Sequence, residues 1–324
     1  MSRIQTVGIA GAGLIGAGWA ARALARGLDV VAYDPVAATE KRFRSSVDNA
    51  WPSMLKLMDR EQVERGTLSF TPDVEDMAQQ ADWIQEAAPE REDLKIALLA
   101  KIDAVADSGV VVASSSSGFL PTRLQAACSH PERLLIGHPF NPVYLLPLVE
   151  IVPGEQTSDH TMQRAAAFYE SIGMYVLRLK REIDGYLCDR LQEALWREAL
   201  HLIHKDVATT SEIDDSLVFS AGLRYAFMGP FLTYHLAGGE GGMRHFLDHF
   251  DPTEELPWTD LRFPEWSDEM SRRLIDGCEE QAEGRSVEQW EAKRDEVLVD
   301  LMKVLEKHGI GAGTLMSRER ARCR

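Results

Sequence analysis

The chain has 324 residues, room for two domains, with 45% hydrophobic and 27% charged residues, the balance of an ordinary water-exposed fold. A formal net charge of −16 gives no basic footprint for nucleic acid or an anionic membrane and suits a cationic small molecule. No apolar run approaches the roughly 18 to 20 residues that span a bilayer, the first residues read as a strand and not a signal peptide, and four scattered cysteines suggest neither a disulfide framework nor a zinc knuckle.

The expected location is therefore the cytoplasm. Residues 4–10, IQTVGIA, predict a first strand, followed by glycines and a helix over 17–26. LDVVAY at 28–33 predicts a second strand that ends at Asp34. Further strands are expected at 68–71, 83–87, 110–114, 134–137, 149–152 and 174–179, most of them separated by helix-like segments such as 93–105. Strands that alternate with helices, several too apolar for a solvated face, predict an α/β fold. Its centre is a Rossmann-type, doubly wound, mostly parallel sheet covered on both sides.

After about residue 180 the pattern turns helical, with runs at 190–207, 211–220, 227–236, 267–283 and 286–307. The last opens with Ser286-Val-Glu-Gln289, a capping-box spacing. Val287, Trp290, Arg294, Val297, Leu301 and Leu305 then mark one helical face, apolar except for Arg294. Such a face needs cover from its own domain or from a second subunit. The expected layout is a dinucleotide-binding domain over 1–183 and an all-α domain over 184–324.

Gly11-Ala-Gly13-Leu14-Ile15-Gly16 lies between the first strand and its helix. There Gly11 permits a tight turn, Gly13 lets the backbone approach a pyrophosphate, and Gly16 permits close packing of helix on strand. The phosphates would meet the N–H groups of the helix start. Asp34 stands eighteen residues after Gly16, near the offset of a ribose-binding acid. A carboxylate there accepts from a 2′-hydroxyl and repels a 2′-phosphate, which favours NAD over NADP. Among nine histidines, His138 in Gly137-His-Pro-Phe-Asn-Pro142 follows an apolar strand, where doubly wound sheets bind their ligands. Histidine titrates in the range useful for taking a hydroxyl proton during dehydrogenation. Glu150, an acid in the apolar stretch Leu148-Val-Glu-Ile151, needs a partner, and orienting an imidazole would supply one. On the residues alone, His138 and Glu150 are one candidate pair among several.

GAGLIG, QEAAPE (85–90), VVASSSSG (111–118), HPFNPVYLLPLVEIV (138–152) and DGYLCDRLQEAL (184–195) occur in the order seen in the 3-hydroxyacyl-CoA dehydrogenase superfamily, which the whole chain resembles. The resemblance implies His138 as catalytic base, Glu150 as its orienting partner and Ser117 as a hydroxyl contact for the substrate oxygen. It also places Asn141 near the nicotinamide and Glu90 near the cofactor. AGLRYAFMGPF (221–231) is similar to the branch that acts on small free acids, which makes Arg224 a candidate carboxylate anchor, with a structural ion pair or subunit contact as the alternative.

Where most relatives carry asparagine in a G-[FY]-x-x-N-R-L pattern, this chain has Asp189 in Gly185-Tyr-Leu-Cys-Asp-Arg-Leu191. An extra carboxylate beside the base favours a cation, and Phe140, Tyr144, Trp196, Tyr225 and Phe227 lie in or near the same motifs. Aromatic faces hold a quaternary ammonium by about 0.5 to 2 kcal/mol each, although at least half of these five are expected to be packing. HPFNPVYLLPLVE and the later Leu256-Pro-Trp258-Thr-Asp260 are similar to carnitine-oxidising members, so the implied substrate is L-carnitine. Alternatives are L-gulonate, 3-hydroxybutyrate or a 3-hydroxyacyl-CoA, and, in another class, a structural protein that keeps the NAD fold without turnover. No metal site is expected: His201 with His204 and His245 with His249 have helical spacing but no matched ligands. Relatives imply a homodimer formed through the helical domain.

Overall fold

The computed structural model describes residues 4–249 and 283–322, together with 262, 267–269, 272, 273, 276 and 280. The expected Leu256–Asp260 substrate segment and most of the expected 267–283 helix lie outside the described residues. The chain divides into two compact units. The first takes residues 1–189 with 298–303 and 315–324, and the second takes 190–297 with 304–314.

The first unit is built on eight strands: β1 (Thr6–Ala10), β2 (Asp29–Tyr33), β3 (Leu68–Thr71), β4 (Trp83–Glu86), β5 (Val111–Ser114), β6 (Leu134–Pro139), β7 (Leu148–Pro153) and β8 (Tyr175–Arg178). Their order in the sheet is β3-β2-β1-β4-β5-β6-β7-β8. All neighbours are parallel except β6 and β7, which run antiparallel. Every strand expected from the sequence is present. One end differs: β6 does not stop at Gly137 but carries His138 and Pro139 within the strand, because β7 goes on pairing with it through Val149.

Helices α1 (Leu14–Leu24), α2 (Glu40–Met58), α3 (Val74–Gln80), α4 (Glu92–Val105), α5 (Pro121–Leu124) and α6 (Asp159–Ser171) connect these strands. They split the core into two buried clusters, one on each side of the sheet in which strand side chains alternate. On one side Trp83 stacks on Phe168 with ring centroids 4.1 Å apart and meets Tyr169 edge-on at 5.3 Å. On the other, Ile84, Leu99, Ile102 and Ile136 are wholly buried. Each such side chain contributes about 1.5 to 3 kcal/mol of burial.

Two features fix α1, the helix that would meet the cofactor. It is rich in alanine and glycine, so it lies close to the sheet: a Cβ on Gly16 would stand 2.0 Å from the Gly11 carbonyl oxygen. Its Arg22 is buried and spends its guanidinium on backbone carbonyls of Val143, Leu146 and Gly173 at 2.9, 3.3 and 3.2 Å. That clamp ties α1 to the loop that follows His138.

The second unit is helical. It holds most of α7 (Cys188–His204), then α8 (Thr210–Ser216), α9 (Gly222–Tyr225), α10 (Pro230–Ala237), α11 (Gly242–His249) and parts of α12 (Val287–His308) and α13 (Gly313–Arg322). Ser286 closes the expected capping box with Gln289 at the start of α12. The expected apolar face of that helix divides: Leu305 is buried, whereas Val297 and Leu301 are exposed. Val299 and Met302, one step around the helix from the expected stripe, are also buried. Among the described residues, no helix is long and apolar enough to cross a membrane.

Candidate active site

The strand register makes the central pair. His138 on β6 and Glu150 on β7 are directly opposed, so both side chains leave the same face of the sheet. The imidazole Nδ1 lies 2.9 Å from Glu150 Oε2, with both residues buried. The other carboxylate oxygen, Oε1, accepts the backbone N–H groups of Leu187 and Cys188 at 3.0 and 3.1 Å. Burial alone would push the Glu150 carboxyl up, but the hydrogen bonds from His138, Cys188 and Leu187 outweigh it and hold the group below the usual range. Glu150 is thus an ionised acceptor that sees Nδ1, which leaves Nε2 as the nitrogen that can take a proton.

Asp189, the first-turn acid of α7, faces that second nitrogen: its Oδ2 is 3.6 Å from Nε2. Burial, with the nearby Glu150 and Glu90 charges, raises the Asp189 carboxyl, and His138 opposes the rise. Phe140 and Tyr186 lie edge-on to the His138 ring at 4.8 and 5.5 Å. Tyr186 donates its hydroxyl to the Phe119 carbonyl at 2.7 Å. The neighbouring Cys188 is pushed up to about 12 by burial and by the Glu150 and Asp189 charges, so its thiol stays protonated and inert.

A groove of about 440 Å³ runs over the carboxyl ends of the central strands, lined among others by Gly13, Ile15, Asp34, Arg42, Glu90 and Ser115. The three fingerprint glycines have separable reasons. Gly11 adopts φ +125°, and a Cβ there would meet the Ala87 carbonyl oxygen at 2.4 Å. Gly16 is filled by backbone, as described above. Gly13 has open space where a Cβ would stand, so nothing in the chain requires glycine there and its backbone is left open to a closely approaching ligand. Leu14 and Ile15 line the groove at the start of α1. Asp34, at the end of β2, accepts from the Ala12 N–H at 3.2 Å and the Val36 N–H at 3.0 Å while it faces the groove. The cradle, with Asp34 and the start of α1 on its lining, fits a dinucleotide.

Glu90 sits at the far side of the groove and ties down the serine loop after β5. It accepts from Ser116 Oγ at 2.5 Å and from the Ser117 N–H at 3.0 Å. The Ser117 side chain is exposed and lines the groove, as the expected hydroxyl contact requires. Asn141 is exposed in the loop after β6, and Tyr144 in the same loop packs against the core. Trp196, Arg224, Tyr225 and Phe227 belong to the second unit, the three aromatics well exposed. Among the described residues no group of three or more His, Cys, Asp or Glu is disposed to hold a metal. His201 contacts the backbone carbonyl of Arg262, and His245 that of Gly238.

Reading the sequence missed Lys95 and Glu86. Lys95 is almost wholly buried yet lines the groove, and its ammonium pairs with buried Glu86 at 2.9 Å and with Glu90 at 3.3 Å. Ser114 Oγ also donates to Glu86. A lone lysine in Leu94-Lys-Ile-Ala-Leu-Leu99 and a Gln-Glu pair closing the apolar β4 were the available signals.

Sheet order, glycine cradle and histidine–carboxylate pair define an NAD-dependent oxidoreductase of the doubly wound class. Residues 6–183 match the 3-hydroxyacyl-CoA dehydrogenase NAD binding domain and residues 185–273 the 3-hydroxyacyl-CoA dehydrogenase C-terminal domain. The chain belongs to the 3-hydroxyacyl-CoA dehydrogenase family. It is 48% identical over 305 residues to the L-carnitine dehydrogenase of Oceanobacillus iheyensis, covering 94% of this chain and 99% of that one. It is 49% identical over 307 residues to the L-carnitine dehydrogenase of Pseudomonas aeruginosa, covering 95% and 96%. The crystal structure of 5-formyl-3-hydroxy-2-methylpyridine 4-carboxylic acid 5-dehydrogenase superposes with a TM-score of 0.79 at 27% identity, covering 94% and 99%.

Proposed function

We propose that the chain oxidises the 3-hydroxyl of L-carnitine to 3-dehydrocarnitine, with NAD as acceptor. The observation that carries this reading is a second carboxylate, Asp189, 3.6 Å from the proton-accepting nitrogen of His138. L-Carnitine has a trimethylammonium at one end, a carboxylate at the other and the reacting hydroxyl between them. Asp189 gives the cation a partner beside the base, with Phe140 as an adjacent aromatic face. An anionic polyol or a CoA ester has no use for that charge. The names of the relatives point the same way.

In this mechanism His138 takes the hydroxyl proton at Nε2 while Glu150 holds Nδ1–H and stabilises the imidazolium that forms. Ser117 donates to the substrate oxygen. Bound NAD supplies the hydride acceptor. Resemblance puts Asn141 near the nicotinamide and Glu90, which lines the groove, near the cofactor, and Gly11 to Gly16 with Asp34 hold the phosphates and the adenosine ribose. Resemblance, and not position, puts Arg224, Trp196, Phe227 and Tyr144 in the substrate set. The reading includes a cytoplasmic homodimer that pairs through the helical unit. Its support is the exposed apolar surface there: Phe219, Leu223 and Phe231 are 75%, 67% and 81% exposed, and Val297 and Val304 are also exposed.

The test is NADH formation with L-carnitine, D-carnitine, L-gulonate, 3-hydroxybutyrate and 3-hydroxybutyryl-CoA in parallel. Selective turnover of L-carnitine is the expected result. Turnover of gulonate or the CoA ester alone would overturn the substrate and leave the dehydrogenase chemistry standing.

A further inference from the structure

Ser115 directly follows β5, lines the dinucleotide groove and is only partly buried. Its hydroxyl oxygen receives two N–H donors from the protein interior: the indole Nε1 of Trp19 at 3.1 Å and the amide Nε2 of Gln85 at 2.8 Å. The orientation of the Gln85 amide is not a free choice. Its Nε2 also reaches the Gly137 carbonyl at 3.2 Å, an acceptor that only an N–H can satisfy, and its Oε1 takes the Tyr169 hydroxyl proton at 2.7 Å. Both lone pairs of the Ser115 oxygen are therefore filled from below. A hydroxyl has two acceptor positions and one donor, so Ser115 has its proton left to give, in the direction left over by the interior contacts.

We infer that Ser115 is a donor-only hydroxyl that recognises an acceptor oxygen on the nicotinamide nucleoside half of NAD. The inference rests on the groove being the dinucleotide site. The half is assigned by strand order: Asp34 ends β2, and β1 and β4 lie between it and β5. Three strand spacings, about 14 Å, separate the two residues across the sheet, so Ser115 lies at the opposite end of the cradle from the adenosine ribose. The same Gln85 that fills the Ser115 lone pair holds the carbonyl of Gly137, next to His138. A single buried amide thereby sets the direction of the cofactor donor and steadies the strand that carries the base.

Equilibrium calorimetry with NADH and with 5′-ADP separates the possibilities. 5′-ADP reports the adenosine half alone. In Ser115→Ala, NADH is expected to bind about fivefold to tenfold more weakly, the loss of one hydrogen bond, while 5′-ADP binds as it does to the unaltered chain. Ser115→Cys, which keeps the volume but donates poorly, should match the alanine variant and keeps the test open if alanine disturbs the fold. NADH affinity in both variants unchanged from that of the unaltered chain overturns the inference, and so does parallel weakening of 5′-ADP. If the unaltered chain bound neither ligand, the dinucleotide reading of the groove would fall, and the inference with it.

Discussion

Replacing Glu150 by glutamine tests the central pair with almost no change in shape. The carboxylate lies 2.9 Å from His138 Nδ1. At that separation an effective dielectric of about 20 puts its attraction for an imidazolium near 6 kcal/mol, and a dielectric of about 40 halves it to about 3. The amide also creates a hydrogen-bond conflict. Its oxygen can stay on the Leu187 and Cys188 N–H groups, in which case its NH2 faces Nδ1 and forces the imidazole into the tautomer with Nε2 already protonated. If it turns round, the NH2 faces two backbone donors instead. The first arrangement removes the base, and the second keeps it but strands the two backbone N–H groups; both lose the carboxylate's charge, so kcat should fall by about 100- to 10,000-fold, the range of the electrostatic loss. Equilibrium binding of NADH should stay within about threefold, since Glu150 does not line the groove. Steady-state kinetics of NADH formation with parallel calorimetry makes the measurement. A Glu150→Gln variant that folds and keeps kcat within tenfold of the original would refute the pairing argument.

The remaining expectations follow from other contacts. Gly13→Ala should leave thermal unfolding nearly unchanged, because its Cβ meets nothing in the chain, yet weaken NADH binding at least tenfold; Gly16→Ala should instead lower the melting temperature, because its Cβ would strike the Gly11 carbonyl oxygen at 2.0 Å. Lys95→Met strands the buried Glu86 carboxylate and should cost about 3 to 5 kcal/mol in urea unfolding, much of it recovered in the Lys95→Met, Glu86→Gln double variant. Glu150 is held below the usual carboxylate range when folded, so the stability it adds is complete above about pH 5 and is lost as the pH falls through its lowered value; acid unfolding of Glu150→Gln should therefore depend less steeply on pH in that window. Asp189→Asn should raise KM for L-carnitine severalfold or more and improve relative use of 3-hydroxybutyrate; a larger loss for 3-hydroxybutyrate than for L-carnitine would sink the ammonium-partner role.

What local patterns carry was legible without coordinates. Strand and helix order follows from side-chain periodicity and turn chemistry, which are properties of neighbouring residues, and all eight strands lie where the apolar runs put them. The glycine cradle and Asp34 were readable for the same reason, since they span one strand, one helix and the next strand. His138 stood out by its place after an apolar run, and Asp189 by its departure from the asparagine of relatives. The expected apolar face of α12 divides between buried Leu305 and exposed Val297 and Leu301, because a helical face has no label saying which neighbour will cover it.

Only the tertiary structure decided which groups meet. Glu150 became the partner of His138 through the antiparallel β6–β7 register, and a slip of one residue would have turned it to the other face of the sheet. Lys95 with Glu86, Arg22 with the loop after His138, and Trp19 with Ser115 join residues 9, 121 to 124 and 96 positions apart. Periodicity does not encode such distances. They are set when the sheet closes, because each buried polar group must then find its partner among whatever atoms packing brings within about 3 Å.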